Sequence, residues 1–168
     1  LLALSEHKYL ANRFHFLIMQ EGAARDEEKK ARLDEIIAHP FFQQKEEGLK
    51  YFREKRFYYN TWAFYLRATG KSEKSYYYRK KVAEIARQHP RYLQEELATY
   101  FAALNNLATV EIETGRYDEF LETNARLRNI PEQLKSGLPE DIRLRIFTRS
   151  WTHELRMYVQ RGMFEEGV

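Results

Sequence analysis

Cysteine is absent from this 168-residue chain, so no disulfide and no thiolate metal site can form. That absence fits a reducing compartment, and a cytoplasmic location is the expectation. Glycine and proline are scarce, at seven and four residues, too few turn formers for a many-stranded β protein. No apolar run approaches the ~20 residues that span a bilayer, and no secretory signal pattern is visible. Charge of neither sign dominates. The 28 basic and 25 acidic residues leave +3, which is no nucleic-acid signature by itself. Enzyme motifs are missing too: there is no glycine-rich phosphate loop, no His-Glu-x-x-His and no nucleophile elbow. Of the five histidines, His39 and His89 precede proline, where a turn role is expected, and His7 and His15 lie too far apart for a paired metal site. The chain is therefore expected to be no enzyme and to hold no cofactor or metal.

What is present is a hydrophobic fraction of 43% alongside 32% charged residues, enough to build a core and solvate it. Four glycines, Gly22, Gly70, Gly115 and Gly162, recur at intervals of 48, 45 and 47 residues. Each follows a long segment with helical apolar spacing. Three are followed by a shorter segment ending near proline, at Pro40, Pro90 and Pro131. Proline suits a first helical turn and glycine the tight bend after a helix. The pattern predicts four helical hairpins, about 1–39, 40–89, 90–138 and 139–168, in an all-α chain. The first helices are expected over 3–21, 41–69, 91–114 and 140–161, and the second over 25–38, 72–88, 116–128 and from 163 onward. In 25–38, Leu33, Ile36 and Ile37 form an apolar stripe, and Glu28/Arg32 is an i,i+4 ion pair. The final residues read as the opening of a further helix, so the chain is expected to be a piece of a longer protein whose remainder continues the array.

Leu104-x-x-Leu107-Ala108, then Gly115-x-Tyr117-x-x-Phe120, then Pro131, resembles a tetratricopeptide repeat (TPR). Glu111, Phe120, Asn124 and Leu127 depart from that pattern, Pro131 is shifted by one, and the period exceeds the usual ~34 residues. Looser copies run through Tyr59, Trp62, Ala63 and Gly70, and through Trp151, Leu155 and Gly162. The resemblance implies an α-α superhelix, a right-handed solenoid of antiparallel helix hairpins. It implies a scaffold for protein–protein interaction that binds a peptide or protein segment in a concave groove. Trp62, Leu107, Ala108 and Leu155 are then expected between helices.

Ten residues before each hairpin glycine stand Asn12, Asn60, Asn105 and Thr152. In the family this position faces the groove, where an amide can bond a peptide backbone. An internal ladder tying helix to helix is the alternative, and both readings stay open. The candidate peptide-binding set is Asn12, Asn60, Asn105, Asn106, Arg149, His153 and Arg156, with the arginines favouring an acidic segment. Phe16, Phe57 and Phe64, near the same register, read as core. The stretch Gly70–Lys81, with five basic residues and three adjacent tyrosines, offers a second reading as a nucleic-acid module. Consecutive tyrosines on a helix diverge, so the solvated-face reading is preferred, with Tyr78 in the core. A structural domain of a larger regulator is the third reading.

Overall fold

The computed structural model describes residues 9–10, 12–14, 16, 27–89, 96–134 and 137–165. Among them every regular element is helical and none is a strand. The chain forms two compact units, Leu1–Ile85 and Ala86–Val168, divided within the last turn of the helix Ser72–Arg87.

The first unit holds helical residues at 9–10, 12–14 and 16, then α1 (Glu27–Ile37), α2 (Pro40–Gln43), α3 (Phe52–Ala68) and α4 (Ser72–Arg87). Two glutamates open α1, where the helix dipole favours them, and Leu33, Ile36 and Ile37 are buried as the stripe requires. The Glu28–Arg32 pair forms. At the next junction His39 stands in extended backbone before Pro40, and its Nδ1 accepts the Phe41 N–H at 3.3 Å. It caps the proline-initiated turn, which accounts for a histidine there without catalysis.

The helix expected over 41–69 is interrupted. After Gln43 the chain extends, makes a 3-10 turn at Glu46–Gly48 and restarts at Phe52. The amides of Gln43 and Gln44 donate to the Ile37 and Phe41 carbonyls at 2.7 and 3.0 Å, and so satisfy backbone groups without a continuing helix. Glu54 accepts the Tyr51 N–H and starts α3.

The helices α3 and α4 run antiparallel. Ser75 Oγ donates to the Ala63 carbonyl at 2.7 Å, and Arg79 donates to Asn60 Oδ1 at 3.0 Å. The reversal occurs at Gly70, φ 75°, where Lys71 N–H reaches the Leu66 carbonyl at 2.7 Å. This is a Schellman closure, and its left-handed residue explains the glycine. Gly115 and Gly162 repeat it, with φ 72° and 69° and bonds from Arg116 to Glu111 and from Met163 to Tyr158. Gly22 and Pro90 lie outside the described residues, as do residues 1–8 and 17–26 of the first hairpin.

The second unit holds α5 (Leu97–Glu113), α6 (Tyr117–Arg128), the short α7 (Ile130–Gln133, with Pro131 in its first turn) and α8 (Glu140–Arg161). Thr123 on α6 bonds Glu111 on α5 across an antiparallel pair. The third helix, α8, runs with α5 and against α6. Asn105 meets His153 and Glu113 meets Arg156, whereas Tyr117 meets Arg161 and Asn124 meets Ser150. Ala108, Ile112, Phe120 and Met157 form the core between the three.

Four expectations are corrected. Leu155 is 46% exposed, because no described helix covers its side of α8. Phe16 is exposed as well, since it lies off the face that carries the buried Phe14. Trp62 is only half-buried; its indole N–H donates to the Phe42 carbonyl at 3.2 Å, which keeps the ring at the edge of the core. Residues 163–165 are not helical, since the left-handed Gly162 closes α8. Leu107 and Ala108 are buried as expected.

Candidate functional site

The sequence candidates divide between the two units. In the first, Asn12 is exposed and Asn60 is half-buried. Asn60 Oδ1 accepts from Arg79, a 2%-exposed arginine whose guanidinium also lies 3.9 Å over the Phe64 ring. This asparagine ties its own hairpin together. Phe64 and Phe57 are half-buried, each beneath an arginine.

In the second unit the other five candidates converge on α5 and α8. His153 is 6% exposed, and its Nε2 stands 3.0 Å from Asn105 Oδ1. Burial lowers the pKa of His153 to about 4, helped by the positive charges of Arg149 and Arg156. The ring is therefore neutral near pH 7, and with the asparagine oxygen facing it, Nε2 carries the proton and donates. Phe120 packs edge-on against the ring at 6.5 Å. Arg149 and Arg156 are exposed on α8, two turns or about 10.5 Å apart, and Arg156 reaches Glu113 Oε1 at 3.4 Å. Asn106 is half-buried next to Asn105. Asparagines at one register position thus bond in different directions. Asn60 reaches the second helix of its hairpin, while Asn105 reaches the first helix of the next.

Two of the five basic residues of the tyrosine-rich stretch, Arg79 and Lys81, make internal contacts, while Lys71, Lys74 and Lys80 are exposed. Lys81 pairs with Glu46 and lies over the Tyr59 and Tyr77 rings. Burial alone would lower its pKa, but hydrogen bonds that its ammonium donates to Glu46 and Tyr77 outweigh that and the net shift is upward. Tyr78 stacks on Trp62 with ring centroids 6.1 Å apart, and burial pushes its hydroxyl up to about 12. Tyr77 alone of the three tyrosines is exposed. Among the described residues no cluster of three or more histidine or carboxylate groups could hold a metal, and no helix is long and apolar enough to cross a membrane.

One feature escaped the sequence reading. A cavity of about 380 Å³ lies between α6 and α8, lined by Leu121, Asn124, Ala125, Arg128 and Glu154 among others. Arg128 pairs with Glu154 and stacks over Trp151 at 4.2 Å. Asn124, 2% exposed, donates to the Ser150 carbonyl at 3.2 Å. The available signal was the departure from the repeat pattern: Glu111 and Asn124, both misfits, are two of the polar residues that became buried.

Comparison of the chain with protein-family models, with curated proteins and with solved structures returns no match.

Proposed function

We propose that this chain is a non-catalytic, TPR-like helical scaffold whose α5/α8 face binds an acidic peptide or protein segment. The reading extends the observed hairpins to a solenoid of antiparallel pairs. One observation carries it: Asn105, Arg149 and Arg156, which repeat register singles out, fall with Asn106 and His153 on two adjacent helices that run in the same direction. The Asn105–His153 bond fixes the spacing of those helices. Arg149 and Arg156 then present two cations at a set separation, which suits carboxylates on an extended chain. Aromatic stacking for nucleic acid has less support, because Arg79 and Lys81 are already engaged.

Fluorescence anisotropy with a labelled acidic peptide and a neutral peptide of equal length tests this. The acidic peptide should bind more tightly, and Arg149→Glu combined with Arg156→Glu should weaken it by about tenfold or more, with a marked salt dependence. Equal binding of both peptides, or no loss in the double variant, refutes the reading.

A further inference from the structure

Two polar side-chain atoms on α6, Asn124 Oδ1 and Arg128 Nε, are buried and make no hydrogen bond. Their residues stand four apart, so they share one side of the helix, with Cβ atoms roughly 5–6 Å from each other. Both line the cavity of about 380 Å³ between α6 and α8, with Leu121 and Ala125 on the same helix and Glu132 and Glu154 facing them. Asn124 is 2% exposed, and its Nδ2 donates to the Ser150 carbonyl at 3.2 Å, which fixes the end of the amide that carries the oxygen. Arg128 is held as firmly, since its Nη2 pairs with Glu154 and its guanidinium lies 4.2 Å over the Trp151 ring. Turning either side chain outward would break those contacts. Buried polar groups are nearly always bonded, so an acceptor and a donor left open side by side mark a place for a third group.

The chemistry of the pair selects the occupant, which must present one N–H and one oxygen together. A primary carboxamide carries its oxygen and one N–H along a single edge, whereas a trans peptide unit points them in opposite directions. A carboxylate offers acceptors only; it would leave the asparagine oxygen unmatched and add charge beside Glu132 and Glu154. An ammonium offers donors only and would meet the arginine. We propose that the cavity binds a primary carboxamide, which donates an N–H to Asn124 Oδ1 and accepts from Arg128 Nε–H. Leu121 and Ala125 supply an apolar wall for the carbon skeleton that carries it. None of these residues belongs to the α5/α8 set, and the preference is for a neutral group over an acid. The proposal therefore stands or falls separately from the function proposed above.

The test is an NMR titration of the full 168-residue chain with Nα-acetyl-glutamine methylamide and with benzamide. The first stands for a protein side chain and the second for a free small molecule, and the tighter of the two identifies the source. Nα-acetyl-glutamate methylamide and Nα-acetyl-norleucine methylamide, which share the backbone amides of the glutamine probe, are the controls. A carboxamide should shift the Asn124 side-chain amide and the Arg128 Nε–H signals saturably, with a Kd in the millimolar range expected of so few contacts. Arg128→Lys keeps the charge beside Glu154 but removes the Nε–H, and should weaken binding by about tenfold or more. Leu121→Trp, at a 42%-exposed position on the cavity wall, should block binding while the melt stays unchanged, which keeps the test open if the arginine variant folds poorly. Equal shifts from either control, binding that survives Leu121→Trp, or no saturable shift from either carboxamide would overturn the proposal. So would a water bridging the two atoms, seen by its cross-peaks, that saturating carboxamide does not displace.

Discussion

The hairpins α3/α4 and α5/α6 share a register and a bend but hardly any interior chemistry. Between α3 and α4 the packing is aromatic and cationic: Tyr58, Tyr59, Trp62 and Tyr78 contact one another, and Arg79 is sandwiched between Phe64 and Asn60. Between α5 and α6 it is largely aliphatic, with Leu104, Leu107, Ala108, Ile112 and Leu127 nearly inaccessible beside one buried polar pair, Thr123 and Glu111. The same hairpin geometry is thus reached with rings that keep a polar edge near water and with aliphatic side chains packed beside a buried polar pair. The lesson is that the bend and the periodicity specify the hairpin, while the identity of the interior specifies how much each residue contributes.

The largest expected difference comes from emptying the two interiors. Phe120→Ala should cost about 3–5 kcal/mol, because the ring is fully enclosed. Trp62→Ala should cost less, since its ring is half-buried and its N–H can be replaced by water at the Phe42 carbonyl. Urea denaturation of both variants checks the ranking, and a larger loss at Trp62 would reverse the comparison.

Next in size is pH. The folded pKa of His153 lies near 4, below the ordinary 6.5, so the unfolded chain binds more protons between those values. Stability should be fully present above about pH 6.5 and fall as the pH drops toward 4, by roughly 3 kcal/mol at the limit. His153→Gln should flatten that part of the pH–stability curve. The aromatic hairpin has no counterpart of this buried histidine, so a destabilisation confined to α5–α8, read by hydrogen exchange, would sharpen the contrast. An unchanged slope in the variant would contradict it.

The smallest effects separate the two asparagines. Asn60→Ala leaves a buried guanidinium short of an acceptor, whereas Asn105→Ala leaves a neutral imidazole short of one. Both should destabilise by about 1–3 kcal/mol, with Asn60 the larger because its partner is charged. Thermal melts decide this. Near-neutral melts for both would return the asparagines to a role in ligand contact alone.

Much of this architecture was legible because its causes are local. The bounds of α4, α6 and α8 and the bends at Gly70, Gly115 and Gly162 follow from periodicity, capping and one backbone conformation. The break after Gln43 was not legible, because it depends on side-chain amides finding nearby carbonyls that a continuous helix would have used itself. Periodicity also placed Leu155 and Trp151 on one stripe but could not say whether anything covers it. At the candidate site the register position of Asn105 was legible and its partner was not. A bond between residues 48 apart in sequence is a property of how helices stack.

The three glycine bends are each closed by main-chain hydrogen bonds, and at Gly70 and Gly115 the hydroxyls of Thr69 and Thr114 add bonds to carbonyls of their own helix. Reversal of the chain is therefore insulated from the composition of the surfaces it brings together. A sequence built this way can exchange an aromatic interior for an aliphatic one, hairpin by hairpin, without renegotiating its turns. The connection is then the same in an aromatic hairpin and an aliphatic one, and the helix faces alone carry the difference.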